Sequence, residues 1–337
     1  MCSQGRDGYV RIWRWSFSNE EAAQTEPAIF GEIPSCEGTF CKISLVVNAT
    51  RKACLLAVPS NGETGSLSIW KVSLKGAKTE HLQTVEAFSD SDGPKSSFMA
   101  CLIINLDKWD ESRSCRFFLV GVDDGGYLHS CLVTTNQHVK AHRPKSSSPD
   151  TTKSGITNLL AKIPSEQTER ESWDVIGPVC RQQICGTPLL SAAAADPNTA
   201  ENSVEIFCGQ AGNHIYRLKL KVTESGEGLA AEINKCVYVP TSGIGCIACR
   251  PDSKLLICGG WDNKIRLFSR RLKQLAVLDH HCDTISAVGF IRYFQNDPET
   301  SCLTSISIPS SNATLPYFFA SSDQEGSIAL WDVYANE

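Results

Sequence analysis

Residues 255–268 read LLICGGWDNKIRLF, and this stretch decides the fold class. A run of apolar and small residues leads into a polar turn at 260–263, and the segment 264–268 then returns with strand-like alternation. Two short apolar runs joined by a polar turn predict an antiparallel β-hairpin.

The same ending, small residues followed by a polar turn and then an apolar-x-apolar strand, recurs along the chain. It is clearest in FFASSDQEGSIALWD at 318–332. Earlier copies are less regular: SQGRDGYVRIW at 3–13, SNGETGSLSIW at 60–70, LVGVDDGGYLHS at 119–130 and FCGQAGNHIYRL at 207–218. An internal repeat of this kind predicts an all-β architecture built from stacked copies of one unit.

The ending I-x-L-W/F after an acidic turn resembles the WD40 repeat family. The resemblance covers nearly the whole chain and implies one domain over 1–337, a β-propeller of four-stranded blades. The chain then holds five full repeats, preceded by a fragment at 1–17 that begins at the end of a second strand.

The fragment raises the question of closure. Propellers of this family commonly have seven blades, and their N-terminal strand completes the last blade. We therefore expect an incomplete ring that lacks roughly 80–110 N-terminal residues. The alternative is a closed five-bladed ring with one spare half-hairpin.

Two insertions interrupt the repeat. The closing residues Ser130 and Leu218 lie 88 positions apart and Phe268 and Trp331 lie 63 apart, both more than the usual repeat of about 40–45 residues. The polar segment 143–172 and the segment 292–315 account for the excess length, and both are expected to be mobile loops.

Composition narrows the classes of partner. The net charge of −5 argues against a protein that binds nucleic acid through its phosphates, since such proteins carry basic patches. No run approaches the roughly 18 apolar residues of a membrane span, and the first residues do not resemble a signal peptide.

Many of the 16 cysteines sit within apolar runs. We expect them to be free core residues, in a protein of the nucleus, or of both nucleus and cytoplasm, with no membrane partner.

The family resemblance implies a structural hydrogen-bond network in each regular blade. Its members are a His before the inner strand, a Ser or Thr on the second strand, an acidic residue in the turn and the closing Trp. The last blade offers His281, Ser321, Glu325 and Trp331.

The preceding blade keeps the acid, Asp262, but has Cys258 and Phe268 where the family has Ser and Trp. Its network is therefore expected to be incomplete. A His, a Ser and an acid close together could also form a catalytic triad. The sequence contains no nucleophile elbow that would support this, so no catalytic residue is predicted.

The pair Cys246 and Cys249 has the C-x-x-C spacing of a metal site. On a strand, positions three apart point to opposite faces, and no second pair completes a zinc set. We expect core cysteines, with no metal and no cofactor.

Trp261 lies in the turn of GGWDNK. An aromatic in an exposed turn is a candidate partner anchor; alternatively, it folds over a neighbouring loop. Arg6 and Gln324 hold the equivalent places in other blades and should face the same side.

A closer resemblance lies at 242–290, together with SQGRD at 3–7 and the C-terminal I-x-L-W end. These stretches resemble the guanine nucleotide-binding protein β-subunit-like 1 group, the fungal ASTRA-associated protein 1 group. The resemblance implies a non-enzymatic scaffold in an ASTRA-type chromatin complex. It also implies partnership with co-chaperones and RuvB-like ATPases in maturing PI3-kinase-like kinases. The alternatives are a G-protein β-like signalling adaptor and a propeller enzyme.

Overall fold

The computed structural model describes residues 2–14, 28–48, 53–60, 65–73, 78–85, 96–107, 115–136, 172–175, 179–223, 228–240, 243–290 and 317–333. Within these ranges the chain forms 23 strands in six antiparallel sheets and contains no helix. It follows that no described helix is long and apolar enough to cross a membrane. The all-β propeller predicted from the repeats is confirmed, with the six sheets as its blades.

The first three blades follow one another in chain order. Blade 1 has three strands: β1 (Cys2–Gln4), β2 (Tyr9–Arg14) and β3 (Ala28–Pro34). Blade 2 has four: β4 (Ser44–Asn48), β5 (Ala53–Pro59), β6 (Leu67–Ser73) and β7 (Lys78–Val85). Blade 3 has five, of which the last two both pair with the third: β8 (Phe98–Asn105), β9 (Arg116–Asp123), β10 (Tyr127–Asn136), β11 (Ser172–Val175) and β12 (Cys180–Gln183).

The last three blades contain the more regular repeats. Blade 4 comprises β13 (Leu189–Ala194), β14 (Ser203–Gln210), β15 (His214–Val222) and β16 (Leu229–Tyr238). Blade 5 comprises β17 (Ile244–Cys249), β18 (Leu255–Gly260), β19 (Lys264–Ser269) and β20 (Gln274–Asp279). Blade 6 comprises β21 (Ile285–Phe290), β22 (Tyr317–Asp323) and β23 (Ile328–Val333).

Each pair of consecutive blades shares one apolar core, so five cores join the six blades. The second strand of each complete blade lies between two such cores, which explains its unbroken apolar sequence. All seven residues of β5, for example, are buried. Five phenylalanines are fully buried in these layers, and each contributes about 1.5–3 kcal/mol of hydrophobic stabilisation.

The N-terminal fragment is larger than the predicted 1–17. Ala28–Pro34 pairs with β2 and gives blade 1 a third strand, and Val10, Ile12 and Ile33 form a core with blade 2. The alternative, a five-bladed ring with a spare half-hairpin, is therefore wrong. A seven-bladed full-length ring stays a prediction.

The predicted fifth full repeat, blade 6, has three described strands. The insertion at 292–315 lies outside the described residues. So does 143–172, except for its last residue, which begins β11.

The described cysteines are all free, as expected. Burial raises the pKa of the Cys54 thiol to about 11 and that of Cys131 to about 12. These thiols therefore stay protonated and pack as small apolar side chains.

Candidate functional site

One end of the sheets carries the turns between second and third strands and the loops that lead into the first strands. We call this end the turn face. In blades 3 to 6 a backbone amide in the turn donates to a carbonyl of the adjacent leading loop. The four bonds are Asp124 N to Ser97 O at 3.1 Å, Ala211 N to Pro188 O at 2.8 Å, Trp261 N to Gly243 O at 2.9 Å and Gln324 N to Thr284 O at 3.0 Å. The repeated bond fixes turns and loops into one surface.

A buried polar network supports this face in blade 6. His281 Nδ1 lies 2.8 Å from Asp323 Oδ2, and its Nε2 lies 2.7 Å from Ser321 Oγ. The indole N–H of Trp331 donates to the same Ser321 oxygen at 2.8 Å. The structure thus brings together His281, Ser321 and Trp331 from the predicted set.

The acid of this network is Asp323, and the prediction of Glu325 is corrected. Asp323 ends β22 and is buried, whereas Glu325 lies two residues further into the turn and is exposed. Asp323 Oδ1 also accepts the Ser327 amide at 2.9 Å, which closes the turn. Burial would raise the pKa of Asp323, but the hydrogen bonds from His281 and the Ser327 amide outweigh it and lower the pKa.

A second network, in blade 3, was not predicted. Asp123 Oδ2 accepts the Ser96 hydroxyl at 2.6 Å and lies 2.7 Å from His129 Nε2, while its Oδ1 accepts the Tyr127 amide at 2.8 Å. Asp123 and His129 are both buried. The His here stands on the third strand rather than before the first, so the usual family pattern does not reveal it.

Both acids share a short sequence signal, although it also occurs at 90–93 and 174–177. Asp123 and Asp323 each begin a D-x-x-G turn, at 123–126 and 323–326. The Gly of each turn has a positive φ, 79° at Gly126 and 90° at Gly326. An αL glycine at this position is typical of a tight hairpin turn with a bulge.

Asp262 has a different partner. Its two carboxylate oxygens accept hydrogen bonds from the two terminal nitrogens of Arg266, at 3.0 and 2.5 Å. The Arg266 side chain is buried. Arg266 pairs with Cys258 across the hairpin. In blade 5, which has no Ser and Trp at the network positions, Arg266 thus takes their place as the partner of Asp262.

Trp261 is both exposed and packed. Its side chain is 49% accessible, but one face lies directly on the loop before β17. A Cβ placed on Gly243 would lie 1.9 Å from Trp261 Cδ2, and one placed on Gly245 would lie 3.4 Å from its Nε1. Both sequence alternatives therefore apply: the ring folds over the loop, and its outer face remains free to meet a partner.

Arg6 and Gln324 also lie exposed in turns of this face. The guanidinium of Arg6 sits 4.6 Å above the ring of Phe40, a favourable cation–π arrangement. Next to that ring is a groove of about 280 Å³, formed by the loop before β4, the β5–β6 turn and the loop before β8. Phe40, Pro59, Phe98 and Met99 provide its apolar lining.

Lys42 joins three blades across the central channel. Its Nζ donates to the carbonyl oxygens of Gly245 at 2.8 Å and Ser286 at 3.2 Å, in blades 5 and 6. Its backbone bridges to Ala100 in blade 3. The inner strands of blades 2 to 6 therefore surround one channel with a lysine across it.

The Cys246 and Cys249 side chains take part in different cores, one between blades 5 and 6 and one between blades 4 and 5. This is the arrangement expected for residues three apart on a strand. Among the described residues, no cluster of three or more His, Cys, Asp or Glu is placed to hold a metal ion.

Trp331→Phe tests the blade 6 network. The phenyl ring would keep the stacking on Phe319, whose ring lies 5.8 Å away at 12°, but would lose the N–H bond to Ser321. We expect the free energy of unfolding in urea to fall by about 1 kcal/mol through the lost bond, in addition to the cost of the smaller side chain. Trp70→Phe is the matched control, because no hydrogen-bond partner for the buried Trp70 Nε1 is found among the described residues. Equal losses in the two variants would contradict the role of the Ser321 bond.

Comparisons with known proteins agree with this architecture. The family model "WD domain, G-beta repeat" matches residues 234–269, which run from β16 through β19. Mouse guanine nucleotide-binding protein subunit beta-like protein 1 is 30% identical over 120 residues, 35% of this chain and 34% of its own length. The alignment thus spans about a third of that relative.

A solved structure shares the fold. Sqt1 of Chaetomium thermophilum, bound to the N-terminus of ribosomal protein L10, superposes with a TM-score of 0.50 at 15% identity. The superposition covers 98% of this chain and 68% of that one. Another Sqt1 structure gives a TM-score of 0.49 at 15% identity, over 98% of this chain and 65% of that one. The recurring turn-and-strand unit and the matched repeat at 234–269 thus make the chain similar to WD40-repeat proteins, and its described residues form a six-bladed β-propeller.

Proposed function

We propose that this protein is a non-enzymatic scaffold that binds partner proteins through its turn face, with Trp261 as an anchor. The single observation that carries the proposal is that the Trp261 ring is both held in place and half exposed. Its position is fixed by contact with Gly243, and about half of its side chain is exposed. Aromatic side chains held in this way are enriched among the residues that dominate binding energy.

The polar networks support a structural rather than a catalytic role for the turn-face histidine of blade 6. Both ring nitrogens of His281 are engaged, one by Asp323 and one by Ser321. The Ser321 hydroxyl also accepts the Trp331 N–H. A general base needs a ring nitrogen within reach of the substrate proton, and this histidine is buried. Its function is to hold the β22–β23 turn.

The more specific proposal is a nuclear subunit of an ASTRA-type chromatin complex. There the protein would act with co-chaperones and RuvB-like ATPases in maturing PI3-kinase-like kinases, without binding nucleic acid or membrane directly. The sequence resemblance at 242–290 and the 30% identity to the mouse β-subunit-like protein 1 support this assignment.

Trp261→Ala is the test. We expect clearly reduced recovery of RuvB-like ATPases and kinase co-chaperones when the tagged variant is purified from cells. The free energy of unfolding should fall by only about 1 kcal/mol, because half of the side chain is already exposed. Leu275→Ala is the matched control, since Leu275 is an exposed apolar residue at the opposite end of the same blade.

The outcomes separate the two levels of the proposal. If the wild type and Trp261→Ala recover these partners equally, the turn-face anchor is wrong. If the wild type recovers none of these ATPases or co-chaperones, the ASTRA-type assignment is wrong. Recovery of G-protein signalling components instead would favour the signalling adaptor.

A further inference from the structure

Four cations without an acidic partner meet around the β19–β20 turn, at the end of blade 5 opposite the turn face. They are all exposed and come from three separate segments: Lys235 on β16, Lys254 in the β17–β18 turn, and Arg271 and Lys273 in the β19–β20 turn. Among the described residues, none of the four forms an ion pair. We call these four residues the basic cluster.

Most other cations of blades 4 and 5 are paired with carboxylates. The pairs are Arg217 and Arg270 with Glu205, Lys219 with Glu201, Arg250 with Asp252, Lys264 with Asp279 and Arg266 with Asp262. The carboxylates nearest the β19–β20 turn are thus already engaged by other arginines. The basic cluster is therefore a local excess of positive charge on a chain whose net charge is −5.

The β19–β20 turn holds its cations in a fixed arrangement. Leu272 has a φ of 54°, which L-residues rarely adopt, and its side chain is buried in the core between blades 4 and 5. The Ser269 amide donates to the Lys273 carbonyl oxygen at 2.9 Å, and the Leu272 amide donates to the Ser269 carbonyl oxygen at 2.8 Å. The buried leucine thus fastens the turn, while the charged residues on either side of it remain exposed.

Two further bonds join the three segments of the basic cluster. The Arg270 amide donates to the Lys254 carbonyl oxygen at 3.0 Å, which ties the two turns of blade 5 together. Lys235 Nζ donates to the Arg271 carbonyl oxygen at 2.8 Å, which ties blade 4 to the same turn. Because the segments are already held together, a partner would spend little conformational entropy on ordering them.

The charge and form of this surface indicate its partner. Cations from three segments suit several carboxylates spaced along an extended chain better than one compact anion. The apolar residue of the 269–273 turn, Leu272, is buried, so the turn presents no side chain to insert into a lipid layer. The turn also has no aromatic residue to stack on a nucleic-acid base, and the net negative charge of the chain opposes a long polyanion.

We propose that the basic cluster is a docking site for an acidic segment of a partner protein, rich in aspartate and glutamate. Charge complementarity of this kind speeds association and selects partners. The site lies at the opposite end of the sheets from Trp261. It is therefore independent of the function assigned to the turn face.

Fluorescence anisotropy with a labelled peptide of alternating glutamate and serine tests the proposal. We expect the wild type to bind this peptide at an ionic strength of about 0.15 M, and to bind it more weakly as salt is added. Arg271→Glu and Lys273→Glu should each weaken binding about tenfold, because each replaces an attraction by a repulsion. Their melting temperatures should not change, since both side chains are exposed.

Two matched controls accompany these variants. Lys78→Glu changes the net charge by the same amount at an exposed lysine of blade 2, and it should bind the peptide like the wild type. A peptide of alternating glutamine and serine has the same length without the charge, and it should not bind.

Three results would overturn the proposal. The wild type could fail to bind the glutamate peptide, or Arg271→Glu and Lys273→Glu could bind it as tightly as Lys78→Glu. Alternatively, duplex DNA or phosphatidylserine vesicles could bind more tightly than the peptide and be released by the same two variants, which would assign the cluster to nucleic acid or lipid. If Arg271→Glu lowers the melting temperature, Lys273→Glu decides the result. None of these results bears on the partner recovery that depends on Trp261.

Discussion

Replacing Asp123 by alanine is expected to lower the free energy of unfolding by about 3 kcal/mol. The carboxylate is fully buried and accepts hydrogen bonds from Ser96 and the Tyr127 amide, and it pairs with His129. The variant would leave these groups buried without their shared acceptor. Stranded polar groups of this kind cost more than the net value of the bonds they lose. Urea unfolding followed by circular dichroism measures the loss.

Asp124→Ala provides the matched control. Asp124 is the next residue in the same turn and is exposed. Within the described part of the chain its carboxylate accepts one hydrogen bond, from the Ser97 amide at 2.9 Å. Its loss should cost about 1 kcal/mol or less. A similar loss in both variants would show that the turn itself, rather than the buried network, determines the stability.

The wild type should also lose stability in acid through this carboxyl. Burial alone would raise the pKa of Asp123, but the hydrogen bonds from His129, Ser96 and the Tyr127 amide lower it below the unfolded value. The unfolded chain therefore binds the proton more readily, so the stabilisation is fully present above about pH 4 and is lost as pH falls through the folded pKa. The difference in free energy of unfolding between the wild type and Asp123→Ala should accordingly be largest near neutral pH and shrink below about pH 4. A constant difference would contradict the role of the charge.

Gly126→Ala is expected to destabilise the protein by about 3–4 kcal/mol. Two effects add to this cost. The first is the backbone conformation: Gly126 has a φ of 79°, which costs an L-residue about 1–2 kcal/mol. The new Cβ would also lie 2.3 Å from the carbonyl oxygen of Cys185 and 2.7 Å from that of Thr187. These are backbone atoms in a segment that itself donates two amide bonds to Gly126 O, so it cannot move aside without breaking them.

Gly326→Ala separates the two effects. Gly326 holds the same place in the D-x-x-G turn of blade 6, with a φ of 90°, but a Cβ there would meet nothing within 4 Å. It should lose only the backbone contribution, about 1 kcal/mol. Equal melting temperatures for the two variants would mean that the contact between the blade 3 turn and the segment after β12 contributes little.

Much of the turn face follows from local sequence. The hairpins at 255–268 and 318–332 were predicted from turn chemistry and strand alternation, because both act between residues close in the chain. The His281, Ser321 and Trp331 positions follow from the repeat pattern. The repeat pattern places the acid within the turn, and this selects Glu325. Only the structure shows that the end of β22 is the buried position that His281 reaches.

What the sequence by itself determined is the repeated unit: antiparallel strands, acidic turns and free apolar cysteines, all set by periodicity and by residue preference over short distances. Tertiary structure decided which of these units are covered. The bonds from Lys42 to Gly245 and Ser286 join residues more than 200 positions apart, and no local pattern encodes them. Likewise Ile265 and Leu267 are buried on β19, whereas Ile328 and Leu330, which hold the equivalent places on β23, are exposed. Among the described residues, burial therefore depends on the neighbouring blade and not on the strand's own sequence.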